Sequence, residues 1–201
     1  MKFKNWSLQK SLPYILIIAG VIGYASAFII MYDKLQLADN PNFVPSCNLD
    51  PIISCGSVMQ SKQANAFGFP NPFIGLGAFP IVAIIGVAIL AGAKFKRWFW
   101  LGFNLGLLLA VFFVHWLFYQ SVYRIQALCP YCIAVWIATI TSFWYVTLYN
   151  IDNKYLKLRK GIPQKVFVWV RRHHLDLLII WLLVIAGLIL KHFWYYYGQK
   201  F

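Results

Sequence analysis

Leu128-Cys129-Pro130-Tyr131-Cys132-Ile133 stands where a polar turn gives way to an uncharged run that continues to Ile151. Pro130 suits the first position of a helix, because the N–H it lacks would have no partner there. That puts Cys129 at or next to the N-cap and Cys132 nearly one turn inside. Sulfurs at i and i+3 share a helix face and can pair. A thiol at a helix start meets unpaired N–H groups and the positive end of the helix dipole, so its thiolate is favoured and its pKa lowered. C-x-x-C at a helix start is the usual form of a redox-active dithiol. Two structural cysteines, or half of a metal site, fit this stretch taken alone about as well.

The composition around it sets the class. The chain of 201 residues is 61% hydrophobic and only 11% charged, far from soluble usage, which predicts an all-α integral membrane protein forming one domain over 1–201. Uncharged runs predict spans over about 12–32, 73–93, 98–123, 130–151 and 175–197, each near the length a bilayer requires. The first, behind Lys2, Lys4 and Lys10, also resembles a signal peptide; it is too long for one, and it reads as an uncleaved anchor. The fifth has only fourteen strictly apolar residues, Leu177–Leu190, and reaches spanning length with Lys191 snorkelling and aromatic residues 193–197 at the interface.

A net charge of +13 would fit nucleic-acid binding if it formed one patch. Instead the basic residues sit in short segments between apolar runs. With the N-terminus inside, segments 1–11, 94–97 and 152–174 hold thirteen of the eighteen Lys and Arg. This is a positive-inside signature, so the expectation is a multi-pass protein of the cytoplasmic (inner) membrane and no nucleic-acid partner. All four cysteines then face outward: Cys47 and Cys55 in the longest polar interval, 33–72, and Cys129 and Cys132 at the mouth of the fourth helix. An even number of cysteines in an oxidising compartment implies disulfides.

Two pairs on one membrane face make a relay. A loop pair can move while a helix pair is held, and thiol–disulfide exchange passes electrons between sulfurs that come into contact. No haem motif follows the C-x-x-C, since residue 133 is Ile, and no dinucleotide fingerprint is present. A lipid-soluble quinone is the natural acceptor.

The order of motifs resembles the vitamin K epoxide reductase family, and most closely its prokaryotic thiol-oxidising members. It rests on Cys47 and Cys55, then Val58, Ser61-Lys62, Phe67-Gly68, Asn71-Pro72-Phe73-Ile74-Gly75 and the C-P-Y-C of 129–132, over about 12–150. In the DsbB-type enzymes the C-x-x-C comes in the first external loop; here that order is reversed. The resemblance implies a four-helix bundle around a quinone pocket with a fifth helix beside it. It implies that Cys47 meets the reduced partner, Cys55 shuttles, Cys129 receives the attack and Cys132 faces the quinone. It also implies that Asn71 hydrogen-bonds a quinone carbonyl, although Asn71 before Pro72 equally reads as an N-cap. Trp136 stands where animal members carry a quinone-contacting tyrosine, and an indole cannot act as a phenol. Residues 56–67 read as a half-helix over the pocket, with Val58, Met59 and Phe67 inward. Ubiquinone or menaquinone is the expected class of acceptor, no metal is expected, and the partner is a separate thioredoxin-fold (DsbA-like) protein. The rivals are quinone or quinone-epoxide reduction as the purpose, and a non-redox protein holding a soft metal on its cysteines.

Four side readings complete the expectations. His115 and Asn104 read as packing groups bonded to neighbouring helices. His173 and His174 read as headgroup residues beside Arg171 and Arg172. Arg124 reads as solvated near Cys129. Gly75, Gly77, Gly86 and Gly92 read as close-contact positions of the second span.

Overall fold

Each uncharged run is a helix. In the computed structural model, which describes residues 8–156 and 164–198, α1 is Leu8–Asp39, α2 Cys55–Gln60, α3 Pro72–Leu90, α4 Arg97–Tyr119, α5 Pro130–Asp152, α6 Gln164–Arg172 and α7 His174–Tyr197. A 3₁₀ turn, Lys62–Asn65, follows α2, and α4 runs on as a π-helical turn, Gln120–Ile125. Lys2, Lys4, Lys157, Arg159, Lys160 and Lys200 lie outside the described residues. Five helices (α1, α3, α4 with its π turn, α5 and α7) are long and apolar enough to cross a membrane. The shortest, α3, has 19 residues and rises roughly 29 Å at 1.5 Å per residue, close to the apolar thickness of a bilayer. The fifth span needs no special pleading, since α7 is helical for 24 residues.

α1 is the hub. It packs on α3 along one side and on α5 along another, and α5 in turn packs on α4. Where α1 meets α3 the backbones nearly touch. A Cβ added at Gly86 would stand 2.6 Å from the Pro13 carbonyl oxygen, and one at Gly20 2.7 Å from Ala83 Cβ. Close approach through small residues is how helices gain packing when lipid supplies no hydrophobic drive. Gly75 shares this role against Ala27, but Gly77 faces open space and Gly92 sits past the helix end at φ +91°. The contact reading therefore holds for Gly75 and Gly86 only, and from α1 Gly20 packs on Ala83 and Gly23 on Phe79.

Polar groups inside the bundle are satisfied between helices. Asn104 Nδ2 donates to Thr147 Oγ1 at 2.8 Å, joining α4 to α5. His115 Nδ1 lies 2.8 Å from the Val111 carbonyl and its Nε2 accepts from Trp181 Nε1 at 3.1 Å, which docks α7 on α4. His174 departs from its headgroup reading. It is buried, with Tyr145 Oη 3.2 Å from its Nδ1 and its carbonyl accepting from Trp144 Nε1. One residue earlier, His173 is the exposed one and pairs with Asp176 at 2.8 Å.

The two ends of the bundle differ in chemistry. At one end Arg97 Nε donates to the Tyr155 carbonyl and Arg171 pairs with Asp152 at 2.9 Å, so basic segments adjacent to α4, α5 and α6 come together. The chain direction of α1, α3 and α5 carries all four cysteines to the other end. There α1 does not stop with the charge-free run at Tyr32; it continues through Asp39. Asp33 and Lys34 thus belong to a helix and not to the loop.

Candidate functional site

Local bonds bring the cysteine loop onto the start of α5. Asp50 Oδ1 accepts from the N–H groups of Ile52 and Ile53, turning the chain tightly after Cys47. Ile53 then pairs with Leu128 as an isolated parallel bridge: Leu128 N–H donates to Ile52 O at 2.7 Å and Ser54 N–H to Leu128 O at 2.9 Å. Ser54 caps α2, its Oγ accepting from Ser57 N–H, which places Cys55 at the helix start. Cys129 is the N-cap of α5 and Pro130 opens that helix, as its chemistry predicts.

Cys47 and Cys55 are joined as a disulfide, and Cys129 and Cys132 are free thiols. The Cys129 sulfur lies 3.1 Å from the Cys55 sulfur. Cys47, Cys55 and Cys129 form a cluster with Sγ atoms all within 4.8 Å, and all three are buried. Thus the helix pair, which spacing alone allows to pair with itself, stands reduced, with Cys129 against the loop disulfide. The Cys132 thiol donates to the Cys129 sulfur and holds that thiol below its ordinary range; burial opposes this, and the backbone N–H groups of Cys132 and Tyr131 reinforce it.

Beneath the sulfurs lies a cavity of about 400 Å³ walled by α1, α2, α3, α4 and α5. Cys132 lines it; Cys47, Cys55 and Cys129 do not. Met59, Phe67, Asn71 and Trp136 all line it as well, together with Val58. The segment read as one half-helix over 56–67 is instead α2 and a 3₁₀ turn, broken at Ser61, whose extended backbone ends the first element. Trp136 is buried and meets Phe118 edge to face at 5.8 Å. Asn71 is not a side-chain cap. Its backbone is helical, its Oδ1 accepts from Ala66 N–H at 3.0 Å and its Nδ2 donates to the Gln63 carbonyl at 2.8 Å, so it braces the 3₁₀ turn. Those two partners also fix which end of the amide is which. Arg124 is exposed, as expected.

Two residues at this site lie outside the motif reading. Lys34 lines the cavity, its Nζ donating to Met59 O at 3.2 Å and Asn65 Oδ1 at 2.8 Å, and Asp33 is buried behind it. A signal for them exists in the sequence: Ile30, Asp33, Lys34 and Leu37 keep helical spacing past the end of the apolar run.

A dithiol on the wall of an apolar cavity, touching a second cysteine pair, is the constellation of a membrane-embedded cysteine redox protein. The vitamin K epoxide reductase family model matches residues 14–147, and the chain belongs to that family. Membership makes it a membrane oxidoreductase of the cysteine-dependent, quinone-linked kind. No curated protein matches the chain. The cavity fits a quinone on its own terms. It has the volume of a small-ligand site, its walls are almost wholly apolar, and a few polar residues, Cys132, Asn71 and Lys34 among them, stand on its lining. Cys132, Asn71 and Trp136 border this cavity together.

Proposed function

We propose that the chain is a thiol oxidase, taking two electrons at a time from a separate thioredoxin-fold dithiol and delivering them to a membrane quinone. The product is a disulfide in the partner, which goes on to oxidise exported proteins. The observation that carries this reading is the 3.1 Å contact between the Cys55 and Cys129 sulfurs, because exchange requires contact between successive sulfurs.

The chemistry of the four cysteines follows. A partner thiolate attacks Cys47, breaking its bond to Cys55, which leaves as a thiolate. Cys55 attacks Cys129 of the oxidised helix pair, and Cys132 is displaced as a thiolate. The partner's second thiol releases it as a disulfide and frees Cys47. Cys47 then attacks Cys55, the Cys55–Cys129 bond breaks, and Cys129 keeps the electron pair; the two protons given up by the partner's dithiol restore the Cys129 and Cys132 thiols. The result is a joined loop pair and a reduced helix pair, the arrangement described above. A quinone supplies an acceptor for two electrons and two protons. Asn71 has one amide hydrogen left to donate, and Trp136 shapes the wall. Cys47 is buried in this arrangement, at 6% exposure, so the loop must open for the partner to reach it.

Orientation follows the charge. The cysteine end faces outward and the basic end faces the cytoplasm. The soft-metal alternative loses ground because Cys47 and Cys55 are bonded to each other, leaving two sulfurs where a tetrahedral thiolate site needs more.

The test is quinone reduction by the purified protein, supplied with a reduced thioredoxin-fold protein and followed by absorbance, wild type beside Cys132→Ser. Turnover in the wild type and none in the variant is expected. A wild type that retains its helical content yet reduces no quinone sinks the proposal.

A further inference from the structure

Asp33 has no task in the relay, yet it is buried beside it. The sulfur cluster packs on α1 through Ile30 and Leu37. Asp33 follows Ile30 by three residues and precedes Leu37 by four, so the three share one face of α1, the face turned to the sulfurs. Its charge is felt at Cys129, where it opposes the thiolate. Asp33 is only 6% exposed, and its Oδ2 has no hydrogen-bond partner among the described residues. No ion pair among those residues involves it. An unpaired polar atom inside a protein is destabilising, and one that persists asks for a reason.

The other charged groups at this end are occupied or turned away. Lys34 is held by Met59 O and Asn65 Oδ1. Asp50 accepts from Ile52 and Ile53. Asp39, Lys62 and Arg124 are exposed. The thiol at which the Asp33 charge is felt is Cys129, at the start of α5.

Oxidation of a dithiol to a disulfide gives up two electrons and two protons. In this site a base must take the first proton without creating a second buried charge. We propose that Asp33 is the proton acceptor for the Cys129 thiol when the helix pair is oxidised. The S–H bond of Cys129 breaks, an O–H bond forms on Asp33 and the electron pair stays on sulfur. One negative charge is present before and after, moved from carboxylate to thiolate. The thiolate then forms the bond to Cys132 as the Cys132 S–H bond breaks; the pair's two electrons and the Cys132 proton leave for the quinone, and Asp33 gives the Cys129 proton up toward the cavity as the second proton of the reduction. This inference rests on the relay proposed above.

The experiment uses the full chain in lipid nanodiscs, with the loop pair joined. The first readout needs no quinone. Thiolate absorbance is titrated against pH in a Cys132→Ser background, where Cys129 is the remaining free thiol, with and without Asp33→Asn. Loss of the opposing carboxylate should move the Cys129 midpoint down. The second readout is turnover of Asp33→Asn with Cys132 intact. It should fall by roughly a hundredfold or more, show a larger solvent isotope effect, and recover in part with Asp33→Glu or added formate. A thiol that ionises more easily in an enzyme that runs more slowly is not what a loosened fold produces. An unchanged midpoint overturns the proposal, because Asp33 then does not face the thiol. Turnover that is unchanged or faster in Asp33→Asn overturns it too, because the carboxylate then acts by charge alone. A wild type that does not turn over brings down the relay itself, a failure distinguishable from either of these.

Discussion

At the residue scale, the two thiols of the helix pair are unlike because of their places on α5. Cys129 is the N-cap, next to the loop disulfide; Cys132 is three residues further on, on the cavity wall. The donor that lowers the Cys129 pKa is Cys132 itself. Cys132→Ala should therefore raise the Cys129 midpoint toward the ordinary thiol value, whereas Cys132→Ser, which keeps an O–H donor, should raise it less. Thiolate absorbance against pH checks this. The sign has a consequence for reactivity: with the pKa lowered, the Cys129 thiolate is present at pH values where an ordinary thiol stays protonated, and is lost only as pH falls through the lowered value. Asn71 shows how far motif reading reaches at this scale. Its place before Pro72 suggests only an N-cap, while the family resemblance points to the cavity it lines; the two bonds that hold its amide come from residues 63 and 66, which fold back on it.

Elements meet through backbone as much as through side chains. The α1–α3 contact is set by small residues on both helices, and Gly86 is the tightest point against main chain, facing both the Pro13 carbonyl and Ile17. Gly86→Val should force the helices apart and lower stability by about 1–3 kcal/mol, the usual cost of overpacking. Gly77→Ala, on the same helix but facing open space, should change it by about 0.5 kcal/mol or less. Thermal unfolding of both variants in one detergent makes the comparison. A composition count of glycines cannot separate these two positions, since both lie in the same apolar run and only the direction each faces differs. The loop elements obey a similar logic. One parallel bridge between residues 53 and 128 carries the cysteine loop onto α5, and its short partners, a turn and an extended tripeptide, leave no periodic pattern to read.

For the whole molecule, the division is between a redox core and a helix beside it. α7 supplies no residue to the cavity wall, and it docks through side-chain bonds, of which Trp181 to His115 is one. Trp181→Phe should lower thermal stability by roughly 0.6–2 kcal/mol, the range for interhelical hydrogen bonds in membranes, and leave quinone reduction within error of wild type. Loss of turnover in that variant would mean that α7 does more than brace the bundle. The family match ends at residue 147, near the end of α5, which agrees with this division.

Some of this protein was written in its order of residues. Spans follow from uncharged length, because a bilayer admits little else. The start of α5, with Cys129 at its N-cap, follows from Pro130, because that is local chemistry. Met59, Phe67, Asn71 and Trp136, named from the sequence, line the cavity. Other features needed the tertiary structure. Which sulfur touches which depends on a loop bridged across seventy residues of chain. His174 is buried because α7 returns it to Tyr145. Asp33 lies one residue past the apolar run, where the expected span ends. Only the packing of α1 against its neighbours buries it beside the sulfur cluster, because burial is decided by what the helix meets and not by where its charge-free stretch ends.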